Sequence, residues 1–398
     1  MNKGTLTVSK SDLVQRGGYT IDNSIELVRG GAPFFNLLES IIDGATQSIH
    51  FHMYIYEADE TGQRIADALI RAANRGVKVY MLLDGYASRS FGDSETLAGI
   101  KNAGIHFRWF EPLFRGNNFF VGRRMHHKII VIDEAQGLVG GLNITNRYND
   151  IDGQPGWLDY AALVRGDAAK ELYNRCVQMW HKRSPRSNNV SVRTPLRPDG
   201  DCFVRVRIND WALNKNQISR SYIEMLQRAQ KSITIMSSYF VPGRVIRKNL
   251  RMASKRGVKI RFIMTKSSDV AMAKAAERFF YPWLLRRNIE IYEYRLKVLH
   301  AKIATYDSLW VTIGSYNVND LSAYASIELN LDVHDQGFSA TVDQELDGII
   351  ERDCDRITAD TYQRSTRIWN TAIYRIAYSL VRLFLFVFTI NFGNEKSR

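Results

Sequence analysis

At 398 residues the chain is long enough for two domains with substantial cores, and its 45% hydrophobic and 24% charged residues are ordinary for a globular protein. A formal charge of +13 favours polyanionic partners, either nucleic acid or an anionic bilayer surface. Cys176, Cys202 and Cys354 lie far apart with no CxxC, which argues against a disulfide framework or a zinc site and suits a reducing compartment.

Residues 1–31 hold no apolar core of signal-peptide length, and no run of 18 uncharged apolar residues predicts a spanning helix. Periodicity predicts a strand at 25–29 and a helix at 34–42. A strand at 48–56, a helix at 62–74, a strand at 77–84, a helix at 94–103 and a strand at 105–110 follow. After a polar stretch at 183–197 the order returns, with a helix at 217–229, a strand at 231–240 and a helix at 245–255. Arg256-Gly257-Val258-Lys259-Ile260 repeats Arg75-Gly76-Val77-Lys78-Val79. Strand–helix–strand alternation implies crossover connections and a sheet with helices on its faces, hence an α/β fold built twice. The expected segments are an N-terminal extension at 1–24, halves at 25–185 and 200–355, and a terminal helix at 366–392.

One polar string occurs in both halves. His126 and Lys128 are followed by Asp133, then Gly140-Gly141-Leu142-Asn143. His300 and Lys302 are followed at the same spacing by Asp307, then Gly314-Ser315-Tyr316-Asn317. Side chains two apart on a strand share a face, so each half offers an imidazole beside an ammonium. That inventory suits a phosphodiester: cations neutralise the non-bridging oxygens, one imidazole attacks phosphorus, and the other protonates the leaving oxygen. Asn143 and Asn317 are candidate amide donors to the same oxygens. Asp133 and Asp307 complete the catalytic string, but strand parity turns them to the opposite face and makes them structural. The two copies are expected to meet at one phosphate.

A nucleophilic histidine needs an acceptor on its far nitrogen. Asp159 and Glu328, lone acids at the head of apolar strands in corresponding places, are the candidate orienting groups. His50 and His52 share one face of their strand and read as core or edge residues; His106, His181 and His334 have no partner pattern. No metal-ligand spacing is present, and with lysines supplying positive charge no metal or cofactor is expected.

These motifs resemble those of the phospholipase D superfamily, most closely its bacterial cardiolipin synthase branch without N-terminal membrane spans. Further marks are Arg123-Arg124-Met125, Leu83-Asp84-Gly85-Tyr86 and Tyr239-Phe240-Val241-Pro242-Gly243, and the resemblance covers about residues 25–353. It implies two α/β halves related by a pseudo-twofold, with the active site at their interface and a phosphohistidine intermediate. By similarity His126 is the nucleophile and His300 the acid, then base. One departure is Gly140-Gly141 against Gly314-Ser315, from which Ser315 is expected to offer a hydroxyl to the phosphate pocket.

Two aromatic and basic clusters suit either a bilayer headgroup region or stacked bases. One runs from Phe107, Trp109 and Phe110 through Phe114, Phe119 and Phe120 among Arg108, Arg115, Arg123 and Arg124; the other is Phe279 to Arg287. The tail at 368–392 is apolar apart from Arg375 and Arg382, and helical spacing groups these with Arg367 on one arc, as in a helix lying in a membrane interface. The expected function is phosphatidyl transfer from phosphatidylglycerol to a second phospholipid alcohol, at the cytoplasmic side of a bacterial cell membrane. Hydrolysis by a phospholipase D, a nuclease of the same superfamily and a non-catalytic lipid-binding scaffold are the alternatives.

Overall fold

The structure, a computed structural model, describes residues 10–112, 114–115, 118–119, 123–182, 201–319, 326–366 and 368–393. The first half comprises α1 (Lys10–Gln15), β1 (Thr20–Arg29), α2 (Ala32–Asp43), β2 (Ser48–Met53), α3 (Glu60–Asn74), β3 (Lys78–Asp84), α4 (Glu95–Asn102) and β4 (His106–Phe110). A ribbon of β5 (Phe114–Arg115) and β6 (Asn118–Phe119) follows, then β7 (Arg124–Met125), β8 (Lys128–Ile132), β9 (Gln136–Gly140), β10 (Tyr160–Gly166) and α5 (Asp167–His181). The second half comprises β11 (Cys202–Asp210), β12 (Lys215–Asn216), α6 (Gln217–Arg228), β13 (Ser232–Ser237), α7 (Arg244–Lys255), β14 (Lys259–Thr265), α8 (Ala271–Arg278) and α9 (Tyr281–Leu285). It continues with β15 (Glu290–Tyr294), β16 (Lys302–Tyr306), β17 (Trp310–Gly314), β18 (Ser326–His334), α10 (Gln336–Asp353), β19 (Cys354–Ile357), α11 (Ala359–Ser365) and α12 (Ile368–Gly393).

The two sheets have one topology. In the first, β4, β3 and β2 are parallel neighbours, and β8, β9, β10 and β1 continue antiparallel. In the second, β15, β14 and β13 are parallel neighbours, and β16, β17, β18 and β11 continue antiparallel. Parallel neighbours need helical crossovers, and the amphipathic α3 and α7 supply them. Asp59 caps α3 by accepting from the Gly62 amide, and Ile65, Leu69 and Ala72 face the sheet.

The halves are fused rather than adjoining. Strands β1 and β11 pair antiparallel, with Asn23 opposite Cys202. The buried Asn23 side chain donates to the Cys202 carbonyl at 3.1 Å and accepts from the Ala168 amide at 2.8 Å. Each half has its own outer apolar cluster, while a third gathers Met125, Ile129, Val131 and Val164 with Val204, Ile303, Leu331 and Val342 from the other half. A shared core of this kind makes the relative placement of the halves a consequence of apolar burial.

Three details depart from the sequence expectation. The first strand begins at Thr20, and the segment before it docks on the second half: Leu13 and Tyr19 join that half's core, and Trp310 donates to the Tyr19 hydroxyl at 2.9 Å. Part of each aromatic cluster is internal, with Phe110, Phe280, Tyr281 and Leu284 buried; Phe120, the side chains of Phe114 and Phe119, and the polar stretch at 183–197 lie outside what the structure describes. The terminal helix uses part of its apolar surface for docking. Tyr378 stacks on Phe279 at 4.6 Å, Ala377 is buried, and Arg278 reaches the Tyr374 hydroxyl at 3.4 Å.

Asp133 and Asp307 occupy equivalent turns at the far end of β8 and β16. Asp133 accepts from the amides of Thr46, Gln47 and Ser48 at 2.7–2.8 Å, and Asp307 from those of Gln230, Lys231 and Ser232 at 2.8 Å. These carboxylates tie the motif strand to the start of its neighbour and touch no reacting group, so their place in the catalytic string is structural. The amide donors hold the Asp133 carboxyl below its ordinary value, against burial, which acts in the opposite direction. Its stabilisation is therefore present above the ordinary carboxylate pKa and is lost as pH falls through the depressed one. Asp133→Ala is expected to lower unfolding free energy by about 1–2 kcal/mol at neutral pH. In denaturant titrations the deficit should shrink below about pH 4.

Candidate active site

The site forms where the motif strand of each half meets the acid-bearing strand of the other. Strand β7 pairs parallel with β18, and the amides of His126 and His127 both donate to the Ile327 carbonyl at 3.0 Å. Across the pseudo-twofold the amides of His300 and Ala301 donate to the Leu158 carbonyl at 2.8 and 3.1 Å. Each accepting residue immediately precedes an acid, so one carbonyl sets a histidine and a carboxylate side by side.

The acids are exchanged between halves. His126 Nδ1 lies 2.9 Å from Glu328 Oε2, and His300 Nδ1 lies 2.6 Å from Asp159 Oδ2. Both acids are fully buried. The sequence expectation named these acids without pairing them, because partners from different halves have no spacing signal. A carboxylate at Nδ1 places the ring proton there and leaves Nε2 as the lone pair.

The lysines lie under the histidines. Strands β8 and β16 begin at Lys128 and Lys302, so each histidine precedes its strand proper. Lys128 Nζ donates to the His126 carbonyl at 2.5 Å and lies over the Tyr54 ring at 4.9 Å. Lys302 Nζ donates to the His300 carbonyl, lies 3.0 Å from His300 Nδ1 and reaches Ser238 Oγ at 3.2 Å. Burial pushes Lys128 down to about 7 and Lys302 down to about 8; the other ammonium lowers Lys128 further, and Glu328 and Asp159 oppose both shifts. Burial and the same ammonium groups lower both histidines, His300 to about 4, against the pull of their carboxylates. His126 and Lys302, and likewise His300 and Lys128, act on one another across the halves, so the two motif copies form one electrostatic unit.

The remaining candidates frame this unit. Asn143 accepts from the Ile55 amide at 3.1 Å and donates to the Tyr148 hydroxyl at 2.9 Å; Asn317 accepts from Ser238 Oγ at 2.7 Å. Ser315 does not offer its hydroxyl to a phosphate pocket. It donates to Glu328 Oε2 at 2.5 Å, the oxygen that holds His126, and accepts from the Leu329 amide at 3.1 Å. The equivalent Gly141 has no room for a side chain: a Cβ there would lie 2.5 Å from both Asp159 carboxylate oxygens. The longer Glu328 is held by a hydroxyl, whereas the shorter Asp159 closes against bare backbone.

Sequence reasoning missed Tyr54 and Ser238, equivalent residues just beyond β2 and β13. The Tyr54 ring meets His126 edge-on at 4.6 Å, and Ser238 links Lys302 to Asn317. Tyr148 and Trp157 pack against His300 at 5.3 and 6.2 Å. Their signal is the repeat itself, since aligning the halves sets Tyr54 opposite Ser238. Asp84 is buried and accepts from the Met125 amide at 2.8 Å, with Arg124 at 3.5 Å, so it anchors the approach to His126.

Comparison with known proteins identifies the family. The family model described as cardiolipin synthase, PLD-like domain, matches residues 38–180 and 222–350. The chain belongs to this cardiolipin synthase family of phospholipase D-like enzymes. It is 32% identical over 372 residues to cardiolipin synthase B of Salmonella typhimurium, covering 92% of this chain and 90% of that protein. It is 28% identical over 322 residues to the major cardiolipin synthase ClsA of Bacillus subtilis, covering 80% of this chain and 67% of that one. A phosphatidylserine synthase of Haemophilus influenzae shares the fold, with a TM-score of 0.65 at 16% identity over 90% of this chain and 93% of that chain. In this family member Gly141→Ala is expected to displace Asp159 and slow turnover by about 10²-fold or more, while Ser315→Ala, which leaves Glu328 in place, costs less. Steady-state rates of the two purified variants compare these effects.

Proposed function

We propose that the chain is a cardiolipin synthase acting through a phosphohistidine. The carrying observation is the crossed pair of carboxylate-held histidines above two buried lysines. In this reading His126 Nε2 attacks the phosphorus of phosphatidylglycerol and the bond to glycerol oxygen breaks. His300, protonated at Nε2 as well once the phosphodiester anion is bound, gives that proton to the oxygen, and a phosphatidyl group remains on His126. The hydroxyl of a second phospholipid then attacks phosphorus, His300 takes its proton, and the P–N bond breaks to give cardiolipin.

The electrostatics support this order of events. Burial and the lysines keep imidazole neutral, which suits a nucleophile. A phosphodiester anion between Lys128 and Lys302 offsets their repulsion and raises the affinity of His300 for its proton. The same ammonium groups offset charge gathering on the non-bridging oxygens during transfer. Water in place of the second alcohol would make the chain a phospholipase D.

The reading extends to peripheral attachment at a membrane. No helix among the described residues is long and apolar enough to cross one. Helix α12 nevertheless leaves Trp369, Ile373, Ile376, Leu380 and Leu383 exposed on one stripe, turned away from the docked Tyr378, and Trp369 is 80% exposed. Arg375 and Arg382 flank that stripe on the exposed side. Such a surface suits shallow insertion with cations at the headgroups.

His126→Ala is expected to abolish transfer, with loss of both cardiolipin and glycerol release from labelled phosphatidylglycerol. Phosphatidic acid as the sole product of the unmodified chain would instead favour hydrolysis. Ile376→Glu with Leu380→Glu is expected to reduce co-sedimentation with phosphatidylglycerol vesicles severalfold; unchanged pelleting would remove α12 from the attachment surface.

A further inference from the structure

A cavity of about 350 Å³ opens between the halves behind the catalytic strands. Its floor includes Ile129, Ile327 and Leu329, sequence neighbours of Lys128 and Glu328. Alternation along a strand turns adjacent side chains to opposite faces, so this cavity is separate from the space between the histidines. Ile208 from the second half completes the apolar floor.

The walls are strongly cationic. Arg108, Arg123, Arg175, Lys182 and Lys215 converge on the cavity from separate segments, against two carboxylates, Glu111 and Asp210. Asp210 is engaged by Arg123 at 3.4 Å, and Arg175 lies 3.6 Å from Glu171 one turn back on α5. Burial and then the neighbouring Arg175 lower the Lys215 ammonium from its ordinary value, against the opposing pull of Asp210 and Glu171. Cations gathered in a partly dry cleft repel one another, and an anion bound among them removes that repulsion.

A second feature of the cavity is an unpartnered imidazole. His127 lines the cavity at 2% exposure, and its Nε2 has no hydrogen-bond partner among the described residues. Its ring stacks at 5.7 Å on His52, which is fully buried with both nitrogens unpartnered. Buried polar atoms of this kind ordinarily find a partner. The mechanism above uses neither ring.

We propose that this cavity binds the phosphate group of an anionic amphiphile, with the headgroup among Arg175, Lys182, Lys215 and His127 and the apolar chain along the isoleucine and leucine floor. The lipid identity of the amphiphile rests on the reaction proposed above; the anion site does not. An occupant would touch the reverse of the Ile327 peptide that aligns Glu328 with His126.

Calorimetric titration of the full chain with dihexanoyl phosphatidic acid below its micellar concentration tests the site. Lys182→Glu with Lys215→Glu is expected to weaken one component of binding at least tenfold, and a matched pair of glutamine substitutions to weaken it less. Thermal unfolding of each variant checks that the fold is kept, the glutamine pair standing in if the charge reversal lowers it. Inorganic phosphate is titrated in parallel: binding of the lipid alone identifies a headgroup site, and equal binding of both identifies a free phosphate site, either result supporting the assignment. Binding of which no component depends on these lysines overturns it. Cardiolipin formation by the same variants is measured separately, because neither lysine belongs to the reacting site and failure of one result leaves the other readable.

Discussion

The structure depends on a reciprocal backbone clamp. The Ile327 carbonyl takes two amides from the first motif, and the Leu158 carbonyl takes two from the second. Each clamp joins a histidine from one half to an acid from the other, so neither half holds a complete site. Main-chain hydrogen bonds fix position more tightly than long side chains can, and imidazole chemistry needs that precision. The shared apolar core keeps the clamps in register because sliding one half over the other would expose it.

The symmetry is broken around the two histidines. Glu328 is steadied by Ser315, while Asp159 packs against Gly141, and Lys128 meets the Tyr54 ring where Lys302 meets the Ser238 hydroxyl. The two imidazoles therefore have the same hydrogen-bond plan in different surroundings. The proposed double displacement asks one of them to form a bond to phosphorus and the other to carry a proton. Non-identical surroundings allow those roles to separate on a duplicated fold.

Much of the molecule was legible before folding. The alternation of strands and helices, the repeat, the motif spacing and the structural role of Asp133 and Asp307 all follow from local pattern, because periodicity and strand parity act over a few residues. The identity of Asp159 and Glu328 as partners was legible too, since a lone acid heading an apolar strand is costly without a function. The strand bounds were less so: His126 and His300 precede their strands because each spends its amide on the opposite half.

The sequence by itself determined the chemistry on offer: two imidazoles, two ammonium groups and two orienting acids on a duplicated α/β frame. Only the tertiary structure decided which acid serves which histidine, that Ser315 serves Glu328, that the first residues pack on the second half, and which stripe of α12 stays exposed. The physical reason is range. Propensity and alternation are written between neighbours along the chain, whereas these pairings join residues distant in sequence, and only burial of the common core brings them together.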